Sequence, residues 1–349
     1  VNVNFDSSSG IDVQEVNPED ITPRLSYILH LSDLHFGTTD NARTWYAQLA
    51  EDLRYNLGCS RLDALVISGD ITTRAAPDEY AAAQLFINRL FQLEPHQIVI
   101  VPGNHDINWQ ISAEAYSKIS VGHSHDGIEE YLTDEAGNFL EARIEDKYKQ
   151  RFTNFIRFYE DIRRDIYPLD YEQQYSLQYL QEQNLLILGL NSAWRVDHHE
   201  RYRVSINSDA LSNALSLVRR NPAYENCLKV AVWHHSLNST FGDRITENSI
   251  IERLCADGFR LILHGSIHRN DNLSYHYNYT FNGKTVNVIG AGLFGAENQE
   301  VFVPCQYNLL KVEGSKITVQ TRRREDPNGA WKPDARWVEA AASNPLPYY

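Results

Sequence analysis

The chain has 349 residues, of which 42% are hydrophobic and 22% are charged, a composition typical of a globular protein rather than a disordered or fibrous one. Its formal net charge of −14 disfavours binding along a long nucleic acid, because phosphate binding needs a basic surface. No apolar run approaches the roughly 18 residues that are needed to cross a bilayer.

The N-terminal residues and the cysteines bear on the cellular compartment. Residues 1–24 have no basic start and no apolar block, so they predict a flexible tail rather than a signal peptide. The four cysteines are far apart and form no CxxC pair, which favours buried thiols in a reducing compartment. We therefore expect a cytoplasmic location and no membrane partner.

Three apolar runs open the predicted domain, and each ends in polar or acidic residues. They span residues 25–31, 62–67 and 98–101, and stretches of helical periodicity separate them at 44–57 and 77–92. A strand, a helix and a strand that repeat at about 35 residues have the size of a βαβ unit, so we expect parallel neighbouring strands. Their carboxyl ends then share one edge, where open α/β sheets hold their sites.

The pattern after the third run is looser. Residues 107–146 are polar and mixed, and we expect them to form a helical or loop insertion beside the site. Helices are predicted at 147–163, 208–220 and 246–256. Further strands are predicted at 175–180, 185–190, 228–233, 260–264, 286–291, 307–312 and 316–321.

The predicted organisation is one α/β domain over residues 25–325, which includes the insertion. Residues 326–349 end in ASNPLPYY, and we expect an extended tail or a truncated linker to a further C-terminal domain. The run from Arg322 to Arg324 is followed by two acidic residues, so it indicates a solvated edge rather than a nucleic-acid patch.

Side chains that bind divalent metals stand at the ends of five predicted strands. They are Asp33 and His35 in DLH, Asp70 in GD, Asn104, His105 and Asp106 in GNHD, His234 and His235 in WHH, and His264 and His268 in HGSIH. Carboxylates, an amide oxygen and imidazoles that converge on one edge suit a pair of borderline divalent cations. Each motif alone is weak. Five motifs in this order, each at a strand end, indicate a metallohydrolase site.

The order D-x-H, GD, GNHD, strand-His and G-x-x-H resembles that of the calcineurin-like metallophosphoesterase superfamily. The resemblance covers about residues 26–270. It implies a two-sheet αββα sandwich with a dinuclear metal centre at the carboxyl edge of the sheets. It also implies hydrolysis of a phosphate monoester or diester by a hydroxide that bridges two divalent ions. The identity of the ions, whether manganese, iron, zinc or magnesium, stays open.

The resemblance also implies which residues bind the metals. They are Asp33, His35 and His268 for the first ion, Asn104 and His234 for the second ion, and Asp70 for both. His234 is preferred to His235 because the ligand in the family is usually the first residue after the strand. His105 is implied to act on the leaving group, and Asp106 to orient His105.

One position departs from the family pattern of G-H-x-H. The chain has Gly265-Ser-Ile-His268, so Ser266 replaces the first histidine. Serine is a poor neutral ligand for such an ion, so we expect a weakened second metal site. The sequence Gly122-His-Ser-His125 matches the pattern literally. No strand is predicted before it, and a solvated loop is the favoured interpretation.

Other residues near the predicted site have two interpretations. Trp109 and Tyr116 could line a substrate pocket or pack in the core. The cluster Asp197-His-His-Glu200 follows a predicted strand, and we expect a loop near the site rather than in it.

Two classes of function follow. We prefer a metal-dependent phosphodiesterase that acts on a small phosphate ester or nucleotide, because the histidine-rich GNHD form resembles family members that act on cyclic nucleotides and small diesters. The alternative is a catalytically impaired sensor module of a larger protein, which binds phosphate or nucleotide and has lost turnover because of Ser266. The acidic charge disfavours a nuclease on long DNA.

Overall fold

The computed structural model describes residues 25–90, 92–120, 130–132, 139–238, 242–267, 276–281, 283–295, 304–314, 316–324 and 329–334. The strands within these ranges are β1 (Ser26–Leu31), β2 (Ala64–Ser68), β3 (Ile98–Val101), β4 (Tyr116–Ser120), β5 (Glu130–Leu132), β6 (Phe139–Arg143), β7 (Tyr175–Leu180), β8 (Leu185–Leu190), β9 (Leu228–Val232), β10 (Phe259–Ile267), β11 (His276–Phe281), β12 (Lys284–Gly292), β13 (Cys305–Glu313), β14 (Lys316–Arg324) and β15 (Lys332–Pro333). The α-helices are α1 (Thr39–Glu51), α2 (Pro77–Ile87), α3 (Trp109–Glu114), α4 (Glu145–Lys149), α5 (Thr153–Arg163), α6 (Ser208–Arg220) and α7 (Asn248–Ala256).

Two six-stranded sheets form the centre of the fold. The first has the order β15-β14-β13-β1-β2-β3, and the second has the order β11-β12-β10-β9-β8-β7. Strands β1, β2 and β3 are parallel neighbours, as the spacing of the apolar runs predicts, and Ile67 of β2 pairs with both Leu31 and Ile100. Strands β8, β9, β10 and β12 are also parallel, so each sheet has a carboxyl edge formed by several strands.

Alternate residues of each strand pack into different layers. Val66 points into the cluster between the two sheets, where it shares buried surroundings with Val230 and Leu263 of the second sheet. Its neighbours Leu65 and Ile67 point the other way, into the cluster that α1, α2 and α5 cover. Strands with both faces buried are continuous apolar runs, which is why the sequence shows runs here rather than alternation.

Helices α6 and α7 cover the outer face of the second sheet. Leu211 and Leu254 of these helices lie in one buried cluster with Leu188 and Ile262 of the sheet. The layers are therefore helix, sheet, sheet and helix, and the predicted αββα sandwich is confirmed.

The insertion contains more strands than the sequence predicts. Residues 107–146 include the short helix α3, as expected for a helical or loop segment, but also a three-stranded antiparallel sheet with the order β4-β6-β5. These strands are only three to five residues long and mix polar with apolar residues, so their periodicity is weak. Residues 122–125, the literal G-H-x-H match, lie outside the described residues.

Two other expectations need correction. Residues 329–334 are expected to lie in a C-terminal tail, but Trp331 is buried and β15 pairs with β14 at the sheet edge. The run from Arg322 to Arg324 is not a solvated edge, because Arg322 is 5% exposed and forms two hydrogen bonds to the buried Asp52, of 2.8 and 2.6 Å. The N-terminal tail, residues 1–24, lies outside the described residues.

The predicted helix at 147–163 is interrupted. Its first residues form α4, a 3₁₀ turn follows at Gln150–Phe152, and α5 forms the rest. Among the described residues, no helix combines the length and the apolar character that crossing a membrane requires.

Candidate metal centre

The residues that follow the strands β1 and β2 have an unusual backbone conformation. Asp33, His35 and Asp70 have φ angles of 51°, 43° and 51°, in the left-handed region that few residues other than glycine adopt. The two loops are joined by backbone hydrogen bonds from Asp33 N to Gly69 O, 3.0 Å, and from His35 N to Asp70 O, 3.1 Å. This conformation is costly, and it is typical of functional sites that the surrounding fold holds in place.

Two glycines of the motifs allow the loops to approach closely. A Cβ atom on Gly103 would lie 2.1 Å from Asp70 Oδ1, and one on Gly69 would lie 2.6 Å from His234 Nδ1. Gly69 also has a φ of +95°, which disfavours any side chain. The glycines of GD and GNHD are therefore required by the packing of Asp70 and His234.

Asp33, Asp70 and His234 form a buried cluster of potential metal ligands. One ligand atom from each lies within 4.8 Å of the other two, and all three side chains are fully buried. Asp70 Oδ2 lies 3.2 Å from His234 Nε2, yet neither atom has a hydrogen-bond partner of acceptable geometry within the described part of the chain. The two atoms form a buried ion pair whose hydrogen-bonding capacity is unsatisfied, which is costly, and a divalent cation bound by both would satisfy it. The donor set therefore fits a metal ion.

The hydrogen bonds and charges around His234 orient it as a ligand. Its Nδ1 donates to Ser68 O at 2.7 Å, which leaves Nε2 for the centre. Burial lowers the pKa of His234, but the charge of Asp70 outweighs burial and raises the pKa to about 10. Burial raises the pKa of Asp70, but the charges of His234 and His105 hold it well below the usual range. The centre thus stabilises positive charge strongly.

His35 lies at the more open side of the cluster. Its Nε2 is 3.8 Å from Asp33 Oδ1 and 4.0 Å from Asp70 Oδ2, and its side chain is 12% exposed. Burial lowers the pKa of His35, but a hydrogen bond to Asp33 and the charge of Asp70 raise it overall. The structure thus brings four of the predicted ligands together: Asp33, His35, Asp70 and His234.

Asn104 contacts the second histidine of the WHH motif rather than the first. Its Oδ1 lies 3.1 Å from His235 Nε2, and His235 Nδ1 lies 2.8 Å from Ser192 Oγ. Sequence reasoning set His235 aside, although the doublet at a strand end was a usable signal. Both rings reach the strand ends, with His234 at Asp70 and His235 at Asn104.

Ser266 occupies the position where the family pattern has a histidine. It is 6% exposed and has a φ of 54°, and its backbone N–H donates to Asp33 Oδ2 at 3.1 Å. Ser32 Oγ donates to the same oxygen at 2.6 Å. These bonds fix the Asp33 carboxylate with Oδ1 toward His35. His268 lies outside the described residues, so its metal-binding role stays a prediction.

Asp106 does not orient the His105 ring, contrary to the role that the resemblance implies. Its buried carboxylate accepts hydrogen bonds from the backbone N–H groups of Gly103, 2.9 Å, Ile71, 3.1 Å, and Thr72, 3.2 Å. The short 3₁₀ turn at Asn104–Asp106 directs this side chain back into the fold. Burial and the charge of Asp70 raise the pKa of Asp106 to about 6. Asp106 therefore joins the loops after β2 and β3.

The carbonyl of Thr73 orients His105 instead. His105 Nδ1 lies 2.9 Å from Thr73 O, and a carbonyl can only accept, so Nδ1 carries the proton. The backbone N–H of His105 donates to Asp70 Oδ1 at 2.8 Å, which ties this residue to the cluster. His105 Nε2 is left as the nitrogen that can act on a ligand.

A cavity of about 440 Å³ adjoins these residues. It is lined by Asn104, His105, Trp109, His198, Arg201, Tyr202, His235 and Asp243. Arg201 lies over the Trp109 ring at 5.7 Å from its centroid. Sequence reasoning missed Arg201 and Tyr202, because they lie in an irregular loop after β8 that has no motif of its own.

The sequence leaves open whether Trp109 and Tyr116 line a pocket or pack in the core, and the structure places the two residues differently. Trp109 lines the cavity, whereas the hydroxyl of Tyr116 donates to Asp197 Oδ2 at 2.7 Å. The segment from Asp197 to Glu200 forms a loop, and His198 from this loop lines the cavity.

The sequence pattern of the calcineurin-like phosphoesterase family matches residues 26–270, and the chain belongs to this family. The matched range includes all five strand-end motifs and the parallel strands β1, β2 and β3 of the first sheet. No curated protein in the sequence comparison matches the chain.

Solved structures of low sequence identity resemble the chain. GAP50, the anchor in the inner membrane complex of Plasmodium, has 9% identity and a TM-score of 0.43, over 93% of this chain and 89% of that chain. TT1561 of Thermus thermophilus has 12% identity and a TM-score of 0.42, over 85% of this chain and 98% of that chain. Vacuolar protein sorting 29 from Cryptosporidium parvum has 11% identity and a TM-score of 0.35, over 89% of this chain and 97% of that chain. These identities are too low to transfer an activity.

Proposed function

We propose that the protein is a metal-dependent phosphodiesterase that hydrolyses a small phosphate ester or nucleotide. The observation that carries this proposal is the buried convergence of Asp33, Asp70 and His234, with the facing atoms of Asp70 and His234 lacking hydrogen-bond partners within the described residues. A divalent ion bound between these atoms would satisfy both of them and offset the cost of their burial.

Two divalent ions complete the proposed centre. Asp33, His35, His268 and Asp70 would hold one of them, and Asp70, Asn104 and His234 the other. When bound, such ions supply Lewis acidity to phosphoryl oxygens and lower the pKa of water. Manganese, iron, zinc and magnesium all suit this donor set to different degrees.

His105 is the proposed proton donor to the leaving oxygen. Its Nδ1–H is fixed on Thr73 O, so only Nε2 can exchange a proton with a ligand in the cavity. In the protonated ring Nε2–H donates, either to the leaving oxygen or to a phosphoryl oxygen whose charge increases. Asp70 accepts the backbone N–H of His105 and so holds the ring beside the metal cluster.

The cavity is the feature that favours a diester. A diester carries a second organic group, and a volume of about 440 Å³ beside His105 provides space for one of nucleotide size. Trp109 offers an aromatic face, and Arg201 offers a cation for a phosphate oxygen. Tyr202, which is 66% exposed, forms part of the open wall.

The direct experiment is the manganese-dependent hydrolysis of bis(para-nitrophenyl) phosphate, compared with para-nitrophenyl phosphate. We expect turnover of the diester by the unmodified protein and a fall in kcat/KM of about 10²–10³ in Asp70→Asn, since metal charge stabilisation is worth several kcal/mol. Asp40→Asn is the matched control, because Asp40 is an exposed aspartate in the first turn of α1. Equal activity of Asp70→Asn and Asp40→Asn would contradict the proposal.

A sensor without turnover is the second candidate, and Ser266 is the observation that favours it. This residue replaces the histidine of the family pattern, and its hydroxyl is a poor neutral ligand where an imidazole would bind an ion. If Ser266→His hydrolyses the diester at least about tenfold faster at low manganese, the missing ligand limits the enzyme. If both proteins bind the diester saturably and neither turns it over, the sensor function is favoured.

A further inference from the structure

Three potential metal ligands meet at a second place in the structure, between the insertion and the loop that follows β8. Glu141 lies on β6, and His198 and His199 lie in the loop that follows β8. One ligand atom from each lies within 4.8 Å of the other two. None of these residues belongs to the cluster of Asp33, Asp70 and His234.

The contacts within this group exceed those of an ordinary ion pair. His199 Nε2 lies 3.0 Å from Glu141 Oε2, which is the distance of an ion pair. An ion pair with Glu141 requires one histidine, whereas two histidines are present here. The ring of His198 lies beside it with a centroid distance of 4.0 Å. His198 Nδ1 is buried and has no hydrogen-bond partner in the described part of the chain. Two adjacent imidazoles and one carboxylate thus share a small volume in which a cation would satisfy all three.

The loop that carries both histidines is held firmly. The Asp197 carboxylate accepts the backbone N–H groups of His199 and Glu200, both at 2.9 Å. It also accepts the hydroxyls of Tyr116, 2.7 Å, and Tyr148, 2.8 Å. These bonds fix the backbone of the two histidines before any ion binds, as supporting residues do in metal sites.

Tyr116 also packs against both rings. Its ring lies edge-on to His198 and His199, at centroid distances of 5.0 and 4.8 Å. The rings therefore cannot rotate freely. A tetrahedral zinc ion holds its ligand atoms about 3.4 Å apart, so small side-chain shifts from the present spacing are sufficient.

We propose that Glu141, His198 and His199 bind one divalent cation of the zinc type. Two imidazoles and one carboxylate are a donor set that zinc takes, with a fourth position left to water or an anion. Glu141 belongs to the insertion sheet, and His198 lines the cavity. The ion therefore cross-links the insertion to the cavity wall, in a role independent of the phosphodiesterase chemistry.

The test is the zinc stoichiometry and affinity of the chelator-stripped full chain, measured by titration against a chromophoric chelator. We expect the double variant His198→Ala/His199→Ala to bind one equivalent less than the unmodified protein, or to bind that equivalent at least tenfold more weakly. His96→Ala, which removes an exposed histidine from a turn, is the matched control and should change neither value. Asp70→Asn should lose zinc at the other cluster and keep this equivalent.

A conservative variant guards against a folding defect. Glu141→Gln keeps the shape of the side chain and should lose the same equivalent with an unchanged circular dichroism spectrum. As a second readout, zinc should slow amide hydrogen exchange in β4 and β6 of the unmodified protein and not in Glu141→Gln. Unchanged zinc binding in both Glu141→Gln and the double variant would overturn the proposal, whatever their phosphodiesterase activity.

Discussion

At the scale of single residues, the centre depends on backbone contacts as much as on ligands. The His105 ring is fixed by the carbonyl of Thr73, and its backbone N–H is bound to Asp70. Asp106 makes no contact of this kind with the ring and instead ties Gly103, Ile71 and their loops together. The ring nitrogen that faces a ligand is therefore set by main-chain geometry.

Replacement of His105 tests this assignment. In His105→Gln we expect kcat for the diester to fall by about 10²–10⁴, because general acid catalysis contributes that much. The metal content should stay unchanged, since the side chain holds no ion in the proposed centre. Metal analysis and steady-state kinetics measure the two quantities, and His96→Gln provides the control. A loss of metal together with activity would instead assign His105 to the metal site.

Gly103 is the second residue whose replacement is informative. A Cβ atom would lie 2.1 Å from Asp70 Oδ1, so Asp70 must move in Gly103→Ala. We expect a loss of about 1–3 kcal/mol in the free energy of unfolding and a weaker metal affinity. Gly242→Ala is a control, because the nearest atom there would be at 3.4 Å. Denaturant unfolding with and without manganese measures both effects, and equal behaviour of the two variants would be contrary to this prediction.

At the scale of elements, a buried ion pair connects the C-terminal strands to the first crossover. Arg322 of β14 forms two hydrogen bonds to Asp52, in the π-helical turn after α1, at 2.8 and 2.6 Å. The hydroxyl of Tyr307 on β13 also donates to Asp52. Asp52 is 2% exposed, so this carboxylate depends on these partners.

Removal of the arginine should therefore be costly. We expect Arg322→Met to lose about 3–5 kcal/mol in the free energy of unfolding, because Asp52 is left buried and uncompensated. Arg43→Met removes an exposed pair with Asp40 on α1 and should cost no more than about 1 kcal/mol. Urea unfolding of the three proteins compares the values. A similar small loss in both variants would show that water reaches Asp52.

Strand β1 carries a histidine that makes the fold sensitive to acid. Burial, and then repulsion from His264, lower the pKa of His30 from the ordinary 6.5 to about 3. The unfolded chain therefore takes up a proton that the folded chain does not. The stability that His30 contributes is complete above about pH 6.5 and is lost as the pH falls toward about 3.

The corresponding variant is His30→Gln, which can keep a hydrogen bond to Ser68. Below about pH 6 the unmodified protein should lose close to 1.4 kcal/mol per pH unit more than this variant does. Unfolding curves at pH 7, 6 and 5 provide the comparison, with His96→Gln as the exposed control. Parallel pH profiles of the unmodified protein and His30→Gln would contradict the buried neutral state of His30.

The sequence predicts elements best where burial on both faces produces apolar runs. Strands β1, β2, β3 and β8 are of this kind, and the spacing of the first three also predicts their parallel order. The short strands β4, β5 and β6, of mixed polar and apolar residues, have no such signal. Arg322 could not be predicted as buried, because its partner Asp52 is 270 positions away in the chain. Contacts between residues so far apart in the sequence depend on the topology of the whole fold.

The same limit applies to the candidate site. The motifs place Asp33, Asp70 and His234 at strand ends, and the fold brings those ends together. Motifs do not encode local turns or side-chain orientation. For this reason they do not predict that the Asp106 side chain points into the loops, or that Asn104 pairs with His235. The cavity residue Arg201 lies in a loop without a pattern.

At the scale of the whole molecule, the two sheets place their carboxyl edges side by side. Loops after β1 and β2 of the first sheet carry Asp33 and Asp70, and the loop after β9 of the second sheet carries His234. The centre is therefore formed only when both sheets have packed against each other. Metal binding should in consequence stabilise the packed sandwich and not one sheet alone.

The most direct test of this account is anomalous X-ray diffraction from crystals grown with manganese. We predict an anomalous peak about 2.2 Å from ligand atoms of Asp70 and His234, with Asp70 Oδ2 and His234 Nε2 no longer facing each other directly. A second peak beside Asp33 and His35 would establish the dinuclear form. The account would be contradicted if, under saturating manganese, the ion were found only outside this cluster and Asp70 Oδ2 still lay 3.2 Å from His234 Nε2.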